Sequence, residues 1–317
     1  MKHNKKITII ILLMFLVAQF IGLYVVGTYA QEKVMNGEVV NNTGKIFPYG
    51  MGFDPEETED LDSFSIIFSF LFSFIIAISL IFLLIRIKSR FILKIWFFTI
   101  VVVALGISFT AFLPEMQYAS LIGLAFAIPL GFLKVYKRGI ISHNLTELFI
   151  YPGVAAIFVP ILGLVSIIIL LILISIYDMW AVWKSKIMQK IAHYQMNELN
   201  VFGGFLIPYA SKNVRNKIKN LKLKYKSKKS LEKKLRDSNL KVNIAILGGG
   251  DVVFPIITAG IALQIWGLIP AIVVIFGALL GLTGLLIFSE KKKFYPAMPF
   301  ITTGLFLGMA ISYFFLV

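Results

Sequence analysis

Two aspartates, Asp178 and Asp251, each stand inside an apolar stretch long enough to cross a bilayer. A charged side chain at the centre of a membrane helix costs roughly 2.5–3.5 kcal/mol on insertion scales, so an intramembrane acid marks a functional site by default. Two acids at similar depth suggest a reaction, because close carboxylates share one proton and divide the acid and base roles. One would activate a water while the other donates to a peptide carbonyl oxygen. Taken singly, either acid reads equally well as a structural hydrogen-bonding group or a coupling-ion ligand. The pair shifts that balance, since the two apolar runs that hold the acids contain no lysine or arginine to neutralise them.

The neighbours of the two acids carry further signals. Asp178 follows Tyr177, and Asp251 follows Gly248, Gly249 and Gly250. Glycine in membrane helices commonly serves close packing. Three in succession also weaken the helix where an acid must meet a substrate backbone. A third segment, Pro296-Ala297-Met298-Pro299, cannot be ordinary helix throughout, because each proline pushes the residue before it toward extended backbone. It is expected either to offer main-chain groups to an unwound substrate, as strand addition does, or to be a proline-led start of a helix.

The elements that must position these groups follow from composition. The 317 residues are 58% hydrophobic and 15% charged, against about a quarter charged in soluble domains. The expected class is therefore an all-α polytopic membrane protein, located in the cell membrane. Cysteine is absent, and His3, His143 and His193 lack any HExxH spacing. Neither thiol chemistry nor a zinc site nor another cofactor is expected. The net charge of +15 sits in gaps between apolar runs, which is membrane topology rather than nucleic-acid binding.

Nine crossings are expected. The first is Ile7 to Tyr29, favoured as a retained helix over a cleaved signal peptide because its apolar length exceeds a signal core of about 7–15 residues. A polar, acidic stretch (31–62) leads to a second helix near Ser63 to Ile85. Helices three and four divide Phe91 to Leu133 at Pro114-Glu115, and Pro160 with Gly163 separates helix five from helix six, which carries Asp178. Residues 184–241 form a basic loop. Helix seven is expected from near Val242 and carries Asp251, helix eight ends near Ser289, and helix nine spans about Tyr295 to Val317. The domain division is thus 1–183, 184–241 and 242–317.

Charge orients this bundle. With the N-terminus cytosolic and the C-terminus outside, Lys33 and Lys45 are the basic residues left on the outer face, out of 31 in the chain. That asymmetry matches the positive-inside rule. Asp178 lies six residues before Lys184, about 9 Å along a helix, and Asp251 ten residues after Lys241, at most about 15 Å. Both carboxylates then fall in the cytosolic half of a core about 30 Å thick, on antiparallel neighbours.

In these motifs the chain resembles the presenilin and signal peptide peptidase family of intramembrane aspartyl proteases, archaeal homologues in particular. That family has nine helices, Tyr-Asp in the sixth, Gly-x-Gly-Asp in the seventh and Pro-Ala-Leu at the ninth. Here they read Tyr177-Asp178, Gly248-Gly249-Gly250-Asp251 and Pro296-Ala297-Met298. Each motif alone is weak; all three in order and in the expected helices are specific. The resemblance implies Asp178 and Asp251 as the catalytic pair, Tyr177 and the three glycines as its support, and Pro296 to Pro299 as a substrate-facing segment. It implies transmembrane-helix substrates, with cytosolic C-termini given the orientation above. Met298 departs from the leucine of the motif, a near-isosteric change.

Two other classes compete. An ion or proton-coupled transporter would use the same buried acids, though no clear inverted repeat supports it. A prepilin-peptidase-like enzyme shares Gly-x-Gly-Asp but has a lysine two residues on, where Val253 stands. Elsewhere, Val201 to Pro208 reads as a membrane-surface helix, a cover for the site or an apolar loop patch. The lysines around it are expected at anionic headgroups or in solvent. Gly277 with Gly281, and Gly304 with Gly308, are expected to pack helices eight and nine within the bundle. His143 and Glu147 are expected to pair locally near the headgroups.

Overall fold

The computed structural model describes residues 5–30, 32–35, 38–41, 44–51, 63–86, 90–137, 139–185, 203–209, 214, 243–289 and 295–316. Nine α-helices lie among them: α1 (Lys5–Tyr29), α2 (Ser63–Arg86), α3 (Arg90–Phe112), α4 (Ala119–Tyr136), α5 (Ile140–Phe158), α6 (Leu164–Trp180), α7 (Gly250–Trp266), α8 (Leu268–Phe288) and α9 (Met298–Phe315). Six of the described helices are long and apolar enough to cross a membrane, and α7 is apolar but shorter. Large apolar side chains such as Leu13, Phe68, Phe126 and Leu280 stay exposed. A helix apolar on all sides is at home in a bilayer or a protein core, and here the uncovered faces are the lipid-facing ones. The chain is a multi-pass membrane protein.

The breaks between helices fall where backbone chemistry requires them. Pro114 separates α3 from α4, and Gly163 precedes α6. Gly267, with φ of 92°, turns α7 into α8 in a backbone region that a side chain would strain. Lys45 is spent on the end of α3. Its ammonium donates to the carbonyls of Ala111 (2.9 Å) and Leu113, where a cation complements the helix C-terminus.

Packing places α7 at the centre, against α1, α5, α8 and α9, while α6 leans mainly on α9. The two GxxxG stretches meet face to face: a Cβ built on Gly277 would run into the Gly304 carbonyl oxygen, and one on Gly281 into that of Phe300. Backbone contact of this closeness supplies dispersion where no hydrophobic drive acts between helices.

Short strands interrupt the helical pattern. β1 (Glu32–Met35) and β2 (Glu38–Asn41) pair antiparallel in the stretch after α1. β3 (Gly204–Tyr209) and β4 (Asn243–Gly248) pair antiparallel, with Gly204 opposite Gly248 and Ile207 opposite Ala245. Two expectations change here. Residues from 243 to 248 form a strand, not the start of helix seven, and the apolar island supplies its partner strand from 204 onward. The alternation buried-exposed over Ile244 to Leu247 explains the outcome, since period two buries Ala245 and Leu247 and leaves Ile244 and Ile246 out. The acidic run 54–62, Val201, Phe202, Lys291–Lys293 and the lysines from 217 to 229 lie outside the described residues.

Candidate active site

Asp178 sits in the last turn of α6, just before a π-helical turn at Ala181–Ser185. Its side chain is buried, and Oδ2 accepts the Met298 amide at 3.0 Å. The Ala297 amide donates to the same carboxyl. A helix leaves its first amides without intrahelical acceptors, and Ala297, at the cap of α9, has no side-chain acceptor of its own. Asp178 supplies it from another helix. One turn along, Ser175 Oγ donates to Thr302 Oγ1 at 2.9 Å, fixing the same α6–α9 face.

This geometry decides between the two backbone readings of Pro296 to Pro299. Ala297 has helical φ and ψ (−86°, −38°), and α9 begins at Met298 with Pro299 in its first turn. The segment is a proline-led helix start, where the missing amide costs nothing. Tyr177 points elsewhere; it is 43% exposed with its ring near Trp180.

Asp251 occupies the first turn of α7, immediately beyond β4. It is half-buried. The Gly248 amide donates to its carboxyl, and Oδ2 lies 3.0 Å from where a Gly248 Cβ would stand. Gly250 is exposed at the first position of the helix, and Gly249 lies against the Tyr151 ring. Pro255 removes the donor that the Asp251 carbonyl would otherwise receive. Next to it, buried Gln19 of α1 donates to the Val252 carbonyl at 3.1 Å. The Asp178 carboxyl lies close enough to act electrostatically on Asp251, so the structure brings the two acids into one site.

The β3–β4 sheet flanks Asp251. The amide and carbonyl of Leu206 both bond to Asn144 of α5, so even-numbered residues of β3 face away from β4. In an antiparallel pair the outward-facing residues alternate with the bonded ones. Phe205, Ile207 and Tyr209 therefore face β4, and across the pair Ile244, Ile246 and Gly248 direct their main-chain groups to the other edge of β4. Among the described residues no strand occupies that edge.

Several site residues escaped sequence reading. Tyr151 is buried, with its hydroxyl near Glu147 and Asp251, and Gln19 contacts the Asp251 helix from 233 positions away. Neither has a sequence signal beyond being polar in an apolar run. His143 and Glu147 do approach one another (3.6 Å), but Glu147 is buried and pairs with Lys134 of α4. Lys134 is thus a bundle residue and not a headgroup cation.

Over residues 51–317 the chain matches the family described as signal-peptide peptidase, presenilin aspartyl protease. The chain belongs to that family. Two solved structures, described as a presenilin family intramembrane aspartate protease in C222 and P2 space groups, share its fold. The first has 18% identity and a TM-score of 0.58, covering 96% of this chain and 98% of the other. The second has 17% identity and a TM-score of 0.54, covering 96% of each. No curated protein matches by sequence. As a presenilin-family member the chain is an intramembrane aspartyl protease, and the acids that the fold gathers are Asp178 and Asp251.

Proposed function

We propose that this protease hydrolyses peptide bonds within the transmembrane segments of membrane proteins, using a water held between Asp178 and Asp251. The observation that carries the reading is the convergence of two membrane acids beside a strand edge that no strand occupies among the described residues. A substrate helix hides its scissile carbonyls in intrahelical hydrogen bonds. Extended against Ile244 and Ile246, the substrate regains those bonds by strand addition and presents one peptide group to the acids.

With one proton shared by the pair, the ionised aspartate removes a proton from water as its oxygen attacks the carbonyl carbon. The protonated aspartate donates to the carbonyl oxygen, giving a neutral gem-diol intermediate. As it collapses and the C–N bond breaks, one gem-diol hydroxyl gives its proton to the aspartate left ionised by the first step. The other aspartate gives its proton to the leaving amine, and the pair returns to one shared proton. Asp178, held by the Ala297 and Met298 amides, starts as the ionised partner, because amide donors favour the charged form. The Pro296 to Pro299 segment meets substrate beside it. The nine helices cross the membrane with the N-terminus cytosolic and the C-terminus outside. The lysines of the basic segment around β3 meet anionic headgroups.

The test incubates purified protein with a labelled single-span substrate in detergent or liposomes, with products read by mass spectrometry. Asp178→Ala and Asp251→Ala should each lose at least about 100-fold in rate, the lower range for a general acid or base. Cleavage that survives both single replacements overturns the reading.

A further inference from the structure

The outer edge of β3 is closed by side chains rather than by a strand. Glu147 Oε1 accepts the Gly204 amide at 3.2 Å, and His143 Nε2 lies 2.8 Å from the Gly204 carbonyl oxygen. Asn144 Nδ2 donates to the Leu206 carbonyl at 2.8 Å, while Oδ1 accepts the Leu206 amide at 2.9 Å. Pro208, the next outward-facing position, has no amide to offer. One helical turn of α5 thus does for β3 what a third strand would do. Behind it, Lys134 Nζ bonds Glu147 and lies 3.5 Å from His143 Nδ1. The Lys134 and Glu147 side chains are 2% and 1% exposed.

Such a cluster is a costly way to hold two helices together. Apolar residues of equal volume commonly serve stability as well as a buried ion pair or better. Its geometric effect is specific, however. It ties β3 to a membrane helix at two consecutive outward-facing positions, which fixes the register of β3 and, through the ladder, of β4. Asp251 stands three residues beyond β4, so the register of the strand sets where the carboxyl lies. The same contacts leave the outer edge of β4, which no strand occupies among the described residues, as the one for addition.

We propose that His143, Asn144 and Glu147, backed by Lys134, are positioning residues that lock the β3–β4 register and thereby select which substrate bond meets the aspartates. The proposal rests on the protease reading above. Hydrogen bonding, rather than charge, is what seats β3, so a neutral pair that keeps the acceptor should still work.

Cleavage of the labelled substrate is compared for wild type, Asn144→Ala, Asn144→Asp, Lys134→Met and the double variant Lys134→Met with Glu147→Gln. Asn144→Ala should lower kcat about tenfold or more with KM within about twofold, and should spread cleavage over neighbouring bonds. Asn144→Asp keeps the acceptor for the Leu206 amide and should fall between it and wild type. Lys134→Met leaves a buried carboxylate unpaired and should lose activity, whereas the double variant should recover to within about threefold of wild type. Hydrogen exchange over residues 203–209 and 243–248 gives a readout independent of catalysis, and should quicken in Asn144→Ala. If wild type cleaves while Asn144→Ala cuts the same single bond at the same kcat, the clamp is overturned. Should Asn144→Ala fail to fold, unchanged products and kcat in Asn144→Asp overturn it equally. A wild type without activity, or an active Asp251→Ala, defeats the underlying protease reading instead, and the exchange comparison still decides whether Asn144 holds the sheet.

Discussion

At the residue scale the two aspartates are held differently, and that difference is measurable. Asp178 accepts amides at the start of α9 and so caps a helix that has no cap of its own. Asp251 accepts an amide from its own neighbour, Gly248. Removing a cap costs roughly 0.5–2 kcal/mol. Asp178→Ala is therefore expected to lower thermal stability as well as abolish cleavage, while Asp251→Asn abolishes cleavage with little change in Tm. Thermal unfolding in detergent, run beside the cleavage assay, separates the two effects; equal destabilisation would contradict the capping role. Both acids were legible in the sequence because a charge in hydrocarbon is conspicuous. Gln19 and Tyr151 were not, since an uncharged polar group on a membrane helix is common and only its partner reveals its purpose.

At the element scale, β4 and the α8–α9 contact make opposite demands on backbone. Ile246 turns its amide away from β3, so Ile246→Pro removes one donor from the open edge, where proline is tolerated. It should abolish cleavage with the sheet retained, whereas Ala245→Pro should break the β3–β4 ladder itself. Hydrogen exchange over the two strands distinguishes them. In α8, Gly277 abuts the Gly304 carbonyl, yet a Cβ on Gly284 would meet nothing within 4 Å. Gly277→Ala should therefore destabilise the protein by about 1–3 kcal/mol as an overpacked contact, and Gly284→Ala should be neutral or better, as removing a helical glycine usually is. The GxxxG pairs were visible in the sequence; that they face one another was not, because spacing places residues on one helix face without saying what covers it.

For the whole molecule, the charge pattern makes a topological prediction. The chain has no cysteine, so single cysteines introduced at Glu57 and Lys226 can be labelled with an impermeant maleimide without background. They should react from opposite sides of the membrane, with Lys226→Cys on the cytosolic side; labelling of both from one side would refute the orientation. Each position is loop by sequence, so the test does not disturb the bundle.

Membrane class, the approximate limits of most helices and the identity of the two acids were determined by sequence alone. Each depends on local sums: apolar length against bilayer thickness, and charge against the membrane faces. The strand before Asp251 was decided only by tertiary structure. A six-residue apolar run reads equally as helix or strand until a partner is found, and the partner of β4 lies more than 30 residues earlier in the chain. The same distance explains the Asn144 and Glu147 contacts with β3. Counting from the flanking lysines gave an expectation of one depth for Asp178 and Asp251; long-range packing brings them into one site, because α9 holds one and the β3–β4 sheet flanks the other.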